Sequence, residues 1–120
     1  MAIEIPGLDV NSGLDLCDGD RDVYLNSLRL YVSSMPASLE KMRDVSEGTL
    51  KDYFIIAHRV KGMSEHAGAE EIRKAAKQLE AMAKDGDLAG VLERNEAFIN
   101  HAQNIVDGIR SWLAENYPER

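Results

Sequence analysis

A histidine, a lysine and a glycine lie close together in the segment AHRVKGMSEHAG, residues 57–68. His58 could act as a nucleophile near neutral pH, because imidazole has an unperturbed pKa of about 6.5 and its neutral form keeps a lone pair on one nitrogen. Lys61, one helical turn later, could place its ammonium against phosphate oxygens. Gly62 could let another protein approach the helix backbone and reach the imidazole. Together these residue types are suited to carrying a phosphoryl group.

Each of these residues also has an ordinary explanation. An exposed histidine in a helix most often has no chemical role, and Lys61 by itself would be a solvated surface lysine. Gly62 is harder to explain in this way, because a glycine inside a helix costs roughly 1 kcal/mol relative to alanine. The functional interpretation is favoured by the combination and its one-turn spacing, and not by any single residue.

The helix predicted to carry this motif has a clear inward face. Its core positions step by three and four residues and are Leu50, Tyr53, Ala57, Val60 and Ser64. Counted around the helix, His58 points about 130° away from the mean direction of that stripe, and therefore toward solvent. Gly62 lies nearly opposite the core. The residues expected around them, as a partner-docking surface, are Ile55, Arg59, Glu65 and Lys51.

The remainder of the chain predicts helices only. Its prolines are Pro6, Pro36 and Pro118, and neither alternating strand patterns nor hairpin dipeptides occur. Short connections between successive helices favour antiparallel neighbours. The predicted fold is therefore all-α, an up-down antiparallel four-helix bundle with a short additional N-terminal helix.

Capping residues predict where the helices begin and end. The expected N-caps of the first, second and last helices are Asp9, Asp20 and Asp87. The second helix is expected to continue past Pro36 to about Val45. Gly48 would then cap it, and Thr49 would open the third helix. The glycines expected to end the third and fourth helices are Gly68 and Gly86. The last helix should be roughly 40 Å long, and its inward apolar residues are expected to include Leu88, Val91 and Leu92.

Composition and charge limit the classes of function. The chain has 120 residues, 44% apolar and 29% charged, which is typical of one globular domain over residues 1–120 with residues 1–8 as a lead-in. A formal charge of −7 disfavours binding to nucleic acid or to a membrane surface. Without a signal-peptide pattern or a membrane-spanning run, we expect a cytoplasmic monomer whose partner is a protein. The single cysteine, Cys17, is interpreted as a small buried hydrophobic residue.

The motif resembles the signature of the histidine-containing phosphotransfer (HPt) family of two-component phosphorelays. That signature is His-x-x-Lys-Gly, followed by a glycine ten positions after the histidine, and here its positions hold His58, Lys61, Gly62 and Gly68. The resemblance covers nearly the whole chain, since the family fold is a helical bundle of about this length with an exposed histidine. Met63 departs from the serine or alanine frequent in the family. Because Met63 should lie beside the core, we expect altered packing and not lost activity.

The resemblance implies a phosphocarrier without its own ATP site, and not an enzyme. His58 would accept a phosphoryl group from the aspartyl phosphate of one receiver domain and pass it to the aspartate of another, in response regulators or hybrid sensor histidine kinases. Lys61 would stabilise phosphate charge and Gly62 would give steric access. The receiver would supply Mg²⁺ and most of the transition-state stabilisation, so no cofactor or metal is expected on this chain. The opening IPGLDV resembles the lead-in to such domains, so the chain could be free-standing or part of a membrane-bound hybrid kinase.

Two other interpretations stay open. The bundle could be a non-phosphorylated helical adaptor that docks receiver domains or kinases, although an adaptor would have no physical need for the whole motif. A histidine metal site would need convergent ligands on neighbouring helices. The pairs Glu65 with His66 and Glu96 with His101 are too generic to predict such a site.

Overall fold

The computed structural model describes residues 3–117, which form five α-helices and no β-strand. In chain order the helices are α1 (Val10–Leu16), α2 (Arg21–Arg43), α3 (Leu50–Ala67), α4 (Glu70–Lys84) and α5 (Leu88–Asn116). A 3₁₀ turn, Glu47–Thr49, precedes α3. The predicted all-α fold class is confirmed. The first two and last three residues of the predicted domain, 1–120, lie outside the described residues.

Helices α2 to α5 form the bundle, with α3 packed between α2 and α4 and with α5 closing the bundle against the same two helices. The hydroxyl of Tyr24, near the start of α2, donates to the carbonyl of Ala67 at the end of α3 (2.7 Å). At the other end of the bundle, Asn95 Nδ2, in the first part of α5, donates to the carbonyl of Met42, near the end of α2 (2.7 Å). Both pairs of helices therefore run antiparallel, which confirms the up-down order.

The segment before α2 lies across one end of the bundle. Ile3 and Ile5 in the lead-in are buried in the core, and α1 packs against α2 and α3. The backbone N–H of Asp9 donates to the carbonyl of Gly68 (2.7 Å), which joins the start of α1 to the end of α3. Cys17 is half-buried and packs against the core, so it is less enclosed than the sequence suggested.

The predicted helix starts and stops are largely confirmed. The carboxylates of Asp9, Asp20 and Asp87 accept hydrogen bonds from backbone N–H groups in the first turns of α1, α2 and α5. These N–H groups have no partner within the helix, so the caps remove an unmet hydrogen bond. Gly68 ends α3 with φ 79° and Gly86 follows α4 with φ 74°, in the left-handed region that favours glycine.

The connection between α2 and α3 differs from the prediction. α2 ends at Arg43, two residues before Val45, and Gly48 lies inside the 3₁₀ turn instead of capping α2. The hydroxyl of Thr49 does not cap α3, because it accepts from the backbone N–H of Ser46 (2.8 Å). The backbone N–H of Thr49 also donates to the carbonyl of Ser46 (3.1 Å). The turn closes its own hydrogen bonds in this way. Thr49 is the N-cap residue of α3, as predicted, but its side chain makes no capping hydrogen bond to that helix.

Buried hydroxyl groups hold α3 in position. Its predicted inward stripe is buried throughout, and the polar member, Ser64, shares a hydrogen bond with the hydroxyl of Tyr31 on α2 (2.9 Å). Burial raises the pKa of Tyr31 to about 12, so this hydroxyl stays protonated. The hydroxyl of Tyr53 donates to Asn95 Oδ1 on α5 (2.8 Å). Because these bonds join α3 to two neighbours, they fix its rotation and thereby the direction of its outer face.

Leu92 was expected to face the core, but it is 55% exposed. The next residue back, Val91, is fully buried, and adjacent helical positions point roughly 100° apart. Asn95 takes the inward position one turn after Val91, because its amide bonds both Tyr53 and the carbonyl of Met42. The hydrophobic pattern did not reveal this buried polar residue.

Candidate functional site

His58 lies in the middle of α3 with 64% of its side chain exposed, as its position in the helical pattern predicted. The half-buried Phe54 lies one turn earlier on the same helix, and its ring stacks on the imidazole. The ring centroids are 6.4 Å apart and the ring planes are inclined by 22°. Offset ring contacts of this kind are favourable, so Phe54 helps to orient the imidazole.

One nitrogen of His58 is bound to a carboxylate on the neighbouring helix. Nδ1 lies 2.6 Å from Oε2 of Glu80 on α4. An ionised carboxylate can only accept, so Nδ1 carries a hydrogen, and in the neutral ring Nε2 then holds the lone pair. Nε2 has no hydrogen-bond partner among residues 3–117. The nitrogen capable of nucleophilic attack is therefore the one that Glu80 leaves free.

Glu80 is well placed to stay ionised. Its side chain is only 16% exposed, and partial burial by itself raises its pKa. Hydrogen bonds from Lys61 and His58, together with the positive charge of Lys61, outweigh burial and lower the pKa of Glu80 below its ordinary value. At neutral pH the carboxylate is thus a fixed acceptor on the shielded side of the imidazole.

Lys61 is held by the same carboxylate. Its Nζ donates to Glu80 Oε1 (3.0 Å), and its side chain is 26% exposed. The sequence placed Lys61 beside His58 as a movable charge, and the structure brings the two residues together through the two oxygens of Glu80. A new anion at Nε2 would compete with Glu80 for this ammonium.

The surface at Gly62 is open. A Cβ built on Gly62 meets no heavy atom within 4 Å, so nothing inside the described chain requires a glycine here. Met63, the next residue, is half-buried and packs against the core, as its position in the helix predicted. Packing within the described chain therefore does not explain Gly62, and its role in steric access stays a prediction.

The four residues proposed for docking, Lys51, Ile55, Arg59 and Glu65, are all exposed on α3. Ile55 and Arg59 line a shallow groove of about 480 Å³ between α3 and the end of α2. Their exposure agrees with the sequence analysis, and their role in docking stays a prediction.

The other two histidines lack comparable surroundings. His66 Nδ1 lies 3.0 Å from the carbonyl of Gly62, one turn back on α3, which is an ordinary local contact. His101 is exposed on α5 and borders a small groove against α4. Neither ring is bound by a carboxylate within the described part of the chain.

No group of three potential metal ligands converges within residues 3–117. No helix in that range is long and apolar enough to cross a membrane.

Glu80 and Phe54 are site residues that the sequence analysis missed. Glu80 is far from His58 in the chain, but the two are nearly symmetric about the turn at Gly68, ten residues after His58 and twelve before Glu80. Folding the sequence at Gly68 into two antiparallel helices would have paired them. Phe54 was detectable as an aromatic residue one turn before His58.

Comparisons with known proteins agree with the family resemblance seen in the sequence. The model of the Hpt domain family matches residues 26–112, which include α3 and α4 and most of α2 and α5. The chain is also similar to the phosphorelay intermediate protein rdeA of Dictyostelium discoideum, at 26% identity over 102 residues. The alignment covers 84% of this chain and 39% of rdeA, so the chain spans about two fifths of the length of that relative. No solved structure gives a significant match.

Proposed function

Because the chain belongs to the Hpt domain family, whose members carry phosphoryl groups in two-component signalling, we propose that it is a phosphorelay carrier with His58 as the phosphoacceptor. A receiver-domain aspartyl phosphate donates the group, and a second receiver-domain aspartate takes it. The observation that carries the proposal is the exposed imidazole whose Nδ1 is bound by Glu80 and whose Nε2 is free.

In the first transfer, the Nε2 lone pair attacks phosphorus in line with the bond to the aspartyl oxygen. The nitrogen–phosphorus bond forms, the phosphorus–oxygen bond breaks, and the carboxylate of the donor leaves. The ring keeps its hydrogen on Nδ1 and so becomes positively charged. Glu80 already accepts that hydrogen and therefore stabilises the charge as it develops, without rearrangement. Transfer to the second receiver reverses these steps.

Lys61 supplies a positive charge for the oxygens of the transferred phosphoryl group. It is bound to Glu80 before transfer, and we propose that its ammonium turns toward the phosphoryl oxygens once the group is on Nε2. A lysine suits this role, because its ammonium is a point charge on a flexible stem. Gly62 keeps the approach to Nε2 open.

The receiver completes the catalytic machinery. Phosphoryl transfer depends on in-line positioning and on neutralising the equatorial oxygens, which a Mg²⁺ ion does well. We propose that this ion belongs to the receiver and that the bundle contributes an oriented nucleophile. The chain is accordingly a transfer intermediate and not an enzyme.

The test uses receiver domains from the same genome, phosphorylated with ³²P-labelled acetyl phosphate. Wild-type protein should take up label that is acid-labile and alkali-stable, which is typical of phosphohistidine. His58→Gln should take up none, and the matched controls His66→Gln and His101→Gln should be labelled like the wild type. Label that persists on His58→Gln would contradict the site. Receivers that bind the wild type without ever labelling it would favour the adaptor interpretation.

A further inference from the structure

We infer that Phe54 is a positioning residue for phosphoryl transfer: its ring fixes the plane of the His58 imidazole, which the hydrogen bond to Glu80 leaves free to tilt. This inference rests on the proposed function and deepens it, because it adds a residue that acts through the imidazole and supplies no reacting atom. The role is separate from docking, since it concerns the order of the imidazole before any partner is present.

The imidazole of His58 has few contacts that could hold it in place. Its side chain is 64% exposed, and an exposed side chain normally changes rotamer within picoseconds to nanoseconds. Within residues 3–117, the hydrogen-bonding and ring-stacking partners of the imidazole are Glu80 and Phe54. The order of the nucleophile before transfer therefore depends largely on these two contacts.

The bond to Glu80 holds one atom of the imidazole but does not fix the ring plane. Nδ1 lies 2.6 Å from Oε2 of Glu80, so this atom is anchored to α4. Rotation about the bond that joins the ring to Cβ is soft for histidine, and a carboxylate accepts hydrogen bonds from a broad range of directions. The ring can therefore tilt while Nδ1 stays bonded, and the tilt carries the lone pair on Nε2 with it.

Phe54 supplies the second restraint. Side chains of a helix lean toward its N-terminus, so the ring of His58 lies over the turn that carries Phe54. The two ring planes are inclined by 22° and the centroids are 6.4 Å apart, which is an offset stack. The stack opposes tilt of the imidazole plane, whereas the bond to Glu80 opposes displacement of Nδ1. The two contacts come from different helices and restrain different motions.

Core packing does not account for an aromatic ring at position 54. The chain has two phenylalanines. Phe98 is 5% exposed and belongs to the core, whereas Phe54 is only half-buried and packs against the outside of that core. A leucine or a methionine could cover the same core surface at little cost. What these side chains lack is a flat face on which the imidazole can stack.

The aromatic face also favours the phosphorylated state of the imidazole. In the proposed transfer, the ring of His58 keeps its hydrogen on Nδ1 and becomes positively charged. Aromatic faces attract cations out to about 6 Å from the ring centroid, and the imidazole centroid lies near that limit at 6.4 Å. An aromatic residue at position 54 therefore stabilises the charged ring slightly, and an aliphatic residue does not.

The test compares aromatic with aliphatic side chains at position 54. Phe54→Leu and Phe54→Met keep an apolar side chain, and Phe54→Tyr keeps the ring. The matched control is Ile105→Ala on α5, because Ile105 is also a half-buried apolar residue that packs against the core. Urea denaturation establishes that each variant is folded under the conditions of the assays.

The first measurement uses the free protein without a receiver. Imidazole ¹H–¹⁵N NMR spectra should show the hydrogen on Nδ1 of His58 in the wild type and in Phe54→Tyr. In Phe54→Leu and Phe54→Met this signal should broaden, and the ring-current shift of the carbon-bound hydrogens of His58 should disappear. Ile105→Ala should leave both signals unchanged, because the stack is intact.

The second measurement is transfer from a phosphorylated receiver over a range of receiver concentrations. Phe54→Leu should lower the maximal rate by about tenfold and leave the half-saturating concentration unchanged, because a misplaced nucleophile slows the reaction and not the docking. Phe54→Tyr should stay within about twofold of the wild-type rate, since the ring is retained. Phosphoramidate, a small donor that phosphorylates histidine directly, needs no fixed approach, so its rate should fall by less than about twofold.

The outcomes distinguish this inference from the proposed function. An imidazole in Phe54→Leu that is as ordered as in the wild type, or an unchanged maximal rate, would overturn the role of Phe54 and leave the carrier function intact. A loss in Phe54→Tyr or Ile105→Ala equal to that in Phe54→Leu would also overturn it, because the aromatic face would then not be the cause. Failure of the wild type to accept label from any receiver, with normal phosphoramidate labelling, would overturn the carrier function itself.

Discussion

Two glycines, one inside α3 and one directly after it, have opposite surroundings. A Cβ built on Gly62 meets no heavy atom within 4 Å, whereas a Cβ on Gly68 would overlap the backbone carbonyl of Asp9. Gly68 also has φ 79°, while Gly62 lies inside regular helix. The fold therefore requires Gly68, whereas packing within the described residues does not require Gly62.

The same contrast applies to the whole of α3. Its inner side and its C-terminal end are closed by buried hydroxyl bonds and by the lead-in. Its outer side presents an imidazole, a bare stretch of backbone and exposed charges. Changes on the closed side should lower stability and leave the chemistry intact, whereas changes on the open side should impair transfer from a receiver without lowering stability.

The largest expected effect on stability comes from Gly68→Ala. An alanine in the left-handed region costs about 1–2 kcal/mol, and its methyl group would also push against the Asp9 carbonyl. We expect the free energy of unfolding to fall by about 2 kcal/mol or more, measured by urea denaturation. The folded fraction should still react with phosphoramidate at the wild-type rate. An unchanged free energy of unfolding would show that the contact with the Asp9 carbonyl does not constrain the end of α3.

Tyr31→Phe should have the next largest effect. It removes the hydroxyl that bonds the fully buried Ser64 and leaves that residue without its partner. We expect a loss of about 1–2 kcal/mol in urea denaturation, because an unpaired buried polar group keeps its full desolvation cost. Adding Ser64→Ala should recover part of the loss, since both partners are then absent. If Ser64→Ala recovers none of the lost stability, the loss of the hydrogen bond between Tyr31 and Ser64 is not its cause.

Gly62→Ala should raise stability, unlike both changes above. Replacing a glycine in the interior of a helix by alanine gains up to about 1 kcal/mol, and the space for the methyl group is open. Transfer from a receiver should slow by about tenfold, because the methyl group would hold the partner away from Nε2. Phosphoramidate labelling should not change. A more stable variant with wild-type transfer would leave Gly62 without a functional explanation.

The smallest expected effect is the dependence of stability on pH through Glu80. The pKa of folded-state Glu80 lies below the ordinary value of 4.5. The carboxylate therefore contributes fully to the free energy of unfolding above pH 4.5, and this contribution is lost as the pH falls through the folded-state pKa. Glu80→Gln should lower stability at pH 7 by at most about 1 kcal/mol. The difference from wild type, followed by urea denaturation, should shrink on acidification below pH 4.5.

The matched control for that series is Glu65→Gln on the outer face of α3. Glu65 is exposed, and its side chain forms no hydrogen bond within the described residues. Its substitution should change neither the stability at pH 7 nor the pH profile. A pH-independent difference between Glu80→Gln and wild type would show that the charge of Glu80 does not stabilise the fold.

Local patterns predicted much of this fold. The aspartate caps of α1, α2 and α5 and the glycine stop of α3 depend on hydrogen bonds and torsion angles within a few residues, so they could be identified in the chain. The predicted Gly48 cap of α2 was wrong, because Gly48 lies inside a 3₁₀ turn that the Thr49 hydroxyl closes by accepting from the backbone N–H of Ser46. Asn95 was missed because its burial depends on two other helices.

The sequence by itself determined that the chain is helical, where the inward stripe of α3 lies, and hence that His58 points outward. A repeat of three and four residues leaves a helix only one way to bury its apolar face. Only the tertiary structure decided which nitrogen of His58 is free and which residue holds Lys61. Both depend on Glu80, which comes from another helix, and the distance between two helices is set by packing that no local pattern encodes.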